Sequence, residues 1–192
     1  MSAQKSTSHE LLDIVDMSGN PTGQVLSKSE IHSEGMWHRD VHVWITDGER
    51  VLEQQRTFDK KIMPGAWDIS VGGHVGRNES YLDAAVRETE EEVGLRIAPG
   101  LFIPAGMLAV EMAMEDGAWM HRVVGDNFVV LQRGLEVADL QLQASEVVGA
   151  RMYPIDQLEA DLLSPDTAAL HAPQPAALWA LGIAAMRQAA QL

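Results

Sequence analysis

Apolar and polar positions change period several times along the chain, and each change marks an element. Residues 11–16 and 22–26 are short apolar-rich runs joined by Met17-Ser18-Gly19-Asn20-Pro21, the punctuation of a hairpin. Ser27 and Glu30 form a capping-box pair that opens a short helix through Ile31 and His32. Residues 41–46 and 51–56 flank Asp47-Gly48, a second hairpin signal. Residues 67–71 predict a strand ahead of a Gly72-Gly73 turn. Residues 101–114 and 122–132 are apolar enough for two central strands, with a loop at 115–118. A strand over 147–153 leads into a helix started by Pro154. Three prolines over 164–175 predict an irregular linker, and 176–191 is an alanine-rich helix with apolar residues most of the way round. Residues 1–9 read as a disordered lead-in, and 10–192 as a single domain.

The strongest pattern lies between these, over 80–93. Leu82, Ala85, Val86, Thr89 and Val93 recur at helical spacing and form a core-facing stripe. Glu88, Glu91 and Glu92 stand at i, i+3 and i+4, so three carboxylates project from another face of the same helix. Like charges so spaced cost about 0.2–0.5 kcal/mol per pair on an isolated helix. A helix gains by clustering them only where a cation sits between, and oxygen-only donors suit Mg²⁺ or Mn²⁺.

Composition narrows the chemistry. The chain has 192 residues, 46% of them hydrophobic and 22% charged, as expected of one globular domain. Its net charge is −14 with no basic run, which argues against a nucleic-acid polymer as ligand. Cysteine is absent, so disulfides, thiolate metal sites and cysteine nucleophiles are all excluded. The polar first ten residues do not make a signal peptide, and no apolar run is long enough to span a membrane. A cytoplasmic protein is the expectation.

The 23 residues from Gly73 to Leu95 resemble the Nudix box, G-x5-E-x7-R-E-U-x-E-E-x-G-U with U aliphatic. Gly73, Glu79, Arg87, Glu88, Glu91, Glu92, Gly94 and Leu95 fall on its fixed positions, and Thr89 replaces an aliphatic residue. The resemblance implies an α/β fold, the Nudix α/β/α sandwich with a mixed central sheet. It also implies hydrolysis of a diphosphate linkage by metal-activated water, with Glu88, Glu91 and Glu92 as metal ligands and Glu92 the most direct. Glu79 and Arg87 are supporting residues: Glu79 near the helix N-terminus, Arg87 paired with Glu91. Glu146 stands where such enzymes commonly place an extra ligand or base, with Glu111 and Glu115 as competing candidates.

A second resemblance covers roughly residues 11–95. The run from Arg56 to His74, with Gly19-Asn20-Pro21-Thr22-Gly23, is similar to the type I isopentenyl-diphosphate isomerases, a branch of the same fold. It implies that Arg56 and Lys60 hold a substrate diphosphate, as a forked guanidinium and an ammonium would. It also implies a histidine metal site through His32, His38 and His74, with His74 nearest substrate. Two departures matter. Gly72 replaces the isomerase cysteine, and the strand carboxylates that complete the histidine site have no match around His121 and Val123. The expected activity is therefore a hydrolase acting on a small phosphorylated substrate, a nucleotide or nucleoside diphosphate derivative, with Trp119 in a polar loop to stack a base. An isomerase-like enzyme, a hydrolase of small alkyl diphosphates and a non-catalytic nucleotide-binding module are the alternatives. A homodimer is left open.

Overall fold

The computed structural model describes residues 11–59, 64–114 and 119–192, without the side chains of Met114 and Trp119. The lead-in and Lys60 lie outside the described residues. Strands β1 (Leu11–Val15) and β2 (Pro21–Ser27) pair antiparallel. They lead into α1 (Lys28–Glu34), where the Ser27–Glu30 capping box forms. Leu12, Ile14 and Ile31 give this unit its own small apolar cluster.

The central sheet has the order β5-β4-β3-β8-β7, with β6 also on β3 and β9 also on β4. Its strands are β3 (His38–Thr46), β4 (Arg50–Arg56), β5 (Trp67–Asp68), β6 (Val71–His74), β7 (Ile103–Met114), β8 (Trp119–Leu131) and β9 (Val147–Pro154). Strand β3 runs parallel to β8 and antiparallel to β4 and β6, so the sheet is mixed.

The period-2 alternation of β3 sorts two cores. Val41, Val43 and Ile45 pack with Val71, Ala84, Ala85 and Val93 under α2 (Tyr81–Val93). Trp44, between them, joins the opposite core with Leu158 of α3 (Ile155–Leu163) and Trp179 and Met186 of α5 (Ala176–Ala189). Helices therefore cover both faces, the α/β/α arrangement. Gly182 lets α5 approach closely, because a Cβ there would strike the Trp44 ring.

Four local expectations are corrected. Gly72 and Gly73 lie inside β6 rather than in a turn, because their backbones pair with His42 and Val41. Strand β7 is an edge strand, not a central one. The 164–175 segment is built rather than irregular: it contains α4 (Pro165–Ala168) and a parallel bridge from His171 to Trp67. The His171 ring, fully buried, anchors it on Glu53 at 2.9 Å. Trp119 begins β8, paired with Met114, and not a loop. In the α2 stripe Ala85, Thr89 and Val93 are buried and Leu82 and Val86 half-buried, and Thr89 is accommodated because its hydroxyl donates to Ala85 O at 2.6 Å.

Candidate active site

Helix α2 begins at a Ser80 cap whose hydroxyl accepts from Asp83 N, and it lies against β6. Contact with β6 is close at Gly73, where any Cβ would run into the Glu88 carboxyl. Glycine at this position leaves that space to the Glu88 carboxyl. One turn on, Glu92 is buried and accepts from Gly72 N at 3.4 Å and from Gln54 Nε2 of β4 at 3.1 Å. Burial, with the nearby charge of Glu88 second, pushes its pKa up to about 8.

The turn before β9 brings a third carboxylate. Gln143 N donates to Glu92 O at 2.9 Å, and Thr57 N donates to Glu146 O at 3.1 Å. Half-buried Glu146 is thereby held close enough for its charge to raise the Glu92 pKa further. Glu91 differs from its neighbours, its side chain being 52% exposed. Arg87 NH1 brackets it with Glu88, at 3.3 and 2.7 Å. The other side of the guanidinium grips Glu79 at 2.8 and 2.9 Å and donates to His74 O at 3.1 Å. Burial works against the Glu79 carboxylate, but hydrogen bonds from Arg87 and Gly76 N outweigh it and hold its pKa below the ordinary value. Arg87 thus ties the box turn, β6 and two carboxylates into one unit.

A buried glutamate whose ionisation is opposed by two further carboxylates fits a hard divalent cation. All the donors are oxygens, and a cation would remove the electrostatic cost. Arg56 stands at the end of β4, a quarter exposed, with its guanidinium 3.2 Å from Asp68. Asp68 also accepts from Gln174 at 3.1 Å. Glu111 is on edge strand β7, paired with Arg122 at 2.7 Å, and Glu115 lies outside the described residues.

The histidines gather on the other face of β6. His74 Nε2 is 3.3 Å from His32 Nε2, and its ring stacks on His38 with centroids 5.1 Å apart. His74 is thus placed within a histidine cluster that includes a fourth ring, His121 of β8. Burial is the main cause that lowers the pKa of all four, to about 4 for His32 and His38. The charge of Lys28 on α1 adds to this at every ring. Asp40 lies among them, 3.8 Å from His38, 3.9 Å from His74 and 4.0 Å from His121.

Gln54, Asp40, His121 and Lys28 were not singled out from the sequence as site residues. The alternation His38-x-Asp40-x-His42 carried a usable signal, since period-2 spacing puts all three on one strand face. Gln54 carried none, because its role depends on a helix 38 residues away.

A family profile described as "NUDIX domain" matches residues 36–173. "Nudix hydrolase 3" of Arabidopsis thaliana is 32% identical over 162 residues, 83% of this chain and 21% of that protein. An uncharacterized Nudix hydrolase of Streptomyces coelicolor is 41% identical over 119 residues, 62% of each chain. An isopentenyl-diphosphate Delta-isomerase of Serratia proteamaculans is 41% identical over 86 residues, 44% of this chain and 48% of that one. The chain thus spans less than two thirds of the length of each of these relatives. Among solved structures, DR0079 from Deinococcus radiodurans superposes with a TM-score of 0.59 at 19% identity, covering 90% of this chain and 97% of that one. The NUDIX domain of Shewanella oneidensis NrtR, complexed with ADP ribose, does so at 0.55 and 15%, covering 85% and 99%.

Proposed function

The chain belongs to the Nudix family, and from that premise we propose that it is a metal-dependent hydrolase of a diphosphate linkage in a small phosphorylated molecule. The observation that carries this reading is buried Glu92, set beside Glu88 and Glu146 and held by Gln54 and Gly72. In this reading Glu88, Glu91 and Glu92 hold Mg²⁺, with Mn²⁺ as a substitute. When bound there, such an ion would lower the pKa of a water and neutralise charge on the substrate diphosphate. Glu146 is the extra ligand or base, Glu79 and Arg87 keep the carboxylates in place, and Arg56 meets a substrate phosphate with Lys60. The preferred substrate class is a nucleotide or nucleoside diphosphate derivative, with Trp119 stacking the base.

A small alkyl diphosphate is the second reading, favoured by the partial identity to an isopentenyl-diphosphate isomerase. Isomerisation itself is not proposed. Alkene protonation needs an acid at the double bond, and Gly72 has no side chain to supply one.

One assay separates these readings. Phosphate release is followed with Mg²⁺ over a panel of nucleotides, nucleotide sugars and alkyl diphosphates, and products from isopentenyl diphosphate are separated by chromatography. Release that stops in EDTA supports the hydrolase. A dimethylallyl product above the no-enzyme control overturns it, and binding without turnover of any panel member assigns a non-catalytic module.

A further inference from the structure

Residues 164–175 are tied to the sheet by a buried polar network. Their backbone lies along edge strand β5: Trp67 N donates to Leu170 O at 3.0 Å, and Ala172 N donates to Trp67 O at 2.6 Å. The buried His171 ring sits between two buried carboxylates from different elements, 2.9 Å from Glu53 of β4 and 3.5 Å from Asp161 of α3. The other oxygen of Glu53 accepts from Arg151 of β9 at 2.8 Å. Asp161 accepts from Tyr153 of β9 at 2.6 Å and from Gln157 at 2.7 Å. A buried polar group left without its partner costs more than the bond itself contributes, so the ring fixes where the segment runs.

The residue this anchoring places is Gln174. It stands between Pro173 and Pro175. Each proline fixes its own φ, and a residue ahead of proline is confined to extended backbone, so Gln174 has little conformational freedom. Pro175 is the cap position of α5, whose Leu178 and Trp179 are buried in the core. Gln174 is therefore held on one side by the His171 anchor and on the other by α5.

Its side chain reaches Asp68, which is buried and stands directly opposite Gln54 in the antiparallel pairing of β5 with β4. Residues so paired share a face of the sheet, and Gln54 is the residue that donates to Glu92. The two oxygens of Asp68 have separate partners. Oδ1 accepts from Ile69 N at 2.9 Å and from Gln174 Nε2 at 3.1 Å. Oδ2 accepts from Arg56 NH1 at 3.2 Å. Neutral donors on Oδ1 fix the plane of the carboxylate and turn Oδ2 toward the guanidinium.

We propose that Gln174 is a positioning residue of the diphosphate cradle, holding Asp68 so that Asp68 holds the Arg56 guanidinium in the orientation that meets a substrate phosphate. A long arginine side chain gives up rotamer freedom when it grips a ligand, and one already oriented by Asp68 has less to give up. The 164–175 segment thereby acts on substrate binding without touching substrate. The inference rests on the reading of Arg56 as a phosphate contact.

Methylenediphosphonate, a diphosphate analogue whose bridge is not hydrolysed, is the probe, titrated as its Mg²⁺ complex into the full chain by calorimetry. Arg56→Ala should weaken binding about 10- to 150-fold, and Gln174→Leu about 3- to 10-fold, the size of one ordinary hydrogen bond. In the Arg56→Ala background Gln174→Leu should have no further effect, because it acts only through Arg56. Mn²⁺ affinity without the probe should be the same in Gln174→Leu as in the parent, whereas a general loosening of the fold would lower it. Urea unfolding checks that each variant is folded; if Gln174→Leu is not, Gln174→Ala takes its place. No binding to the parent, or binding unchanged in Arg56→Ala, defeats the cradle reading itself. Weakening in Arg56→Ala but not in the folded Gln174 variant, a Gln174 effect of equal size with and without Arg56, or a loss of Mn²⁺ affinity overturns this inference alone.

Discussion

Replacing Glu92 by glutamine should have opposite effects on activity and on stability. Glu92 is 7% exposed, and its pKa of about 8 lies well above the ordinary glutamate value of 4.5. Between those two values the native state keeps a proton that the unfolded chain has already released. Stability of the metal-free protein therefore falls as pH rises through the window from 4.5 to 8. At 1.36 kcal/mol per pKa unit, the loss accumulated by pH 7 is about 3 kcal/mol. Glutamine carries no charge, and its side-chain oxygen can still accept from Gln54 and Gly72. In EDTA, Glu92→Gln should be more stable than the parent at pH 7 by up to about 3 kcal/mol, with little difference near pH 4.5. With Mg²⁺ and substrate it should lose on the order of 10²–10³ in rate, as for removal of one stabilising group at a reaction centre. Urea unfolding at several pH values and a phosphate-release assay measure the two sides. If stability has the same pH slope in both proteins, Glu92 does not titrate as its burial dictates. If activity is unchanged, this face of α2 is not the reaction centre.

Three other outcomes follow from the same geometry. Gln54→Leu removes the donor that orients Glu92, so the Mg²⁺ concentration for half-maximal activity should rise about 10–100-fold in a folded protein; an unchanged Mg²⁺ response would rule out that role. Arg56→Ala should raise KM for a diphosphate substrate about 10- to 150-fold through loss of a charge-assisted bond worth about 1.5–3 kcal/mol, and equal Michaelis constants would sink the proposed cradle. Gly182→Ala should destabilise the fold by about 1–3 kcal/mol in denaturant titration, because the added methyl meets the Trp44 ring; unaltered stability would show that α5 can shift away freely.

The legible part of this protein is local. The α2 stripe, the capping box of α1 and the two N-terminal hairpin strands all depend on residues a few positions apart, so chain order alone determines them. The Nudix box is legible for the same reason, since its ligands and supports share one helix and the turn before it. What the tertiary structure decided depends on strands distant in sequence. Gly72-Gly73 reads as a turn until β3 pairs with it, and β7 reads as central until the sheet order leaves it at the edge. The 164–175 segment reads as a linker because its anchor is one buried ring, His171, on a glutamate 118 positions earlier. The carboxylate site needed β4 to bring Gln54 to Glu92, and the histidine cluster needed β3, β6 and β8 side by side. Sequence spacing specifies which side chains share a face of one element, but strand pairing specifies which faces meet, and the carboxylate site and the histidine cluster both form where faces meet.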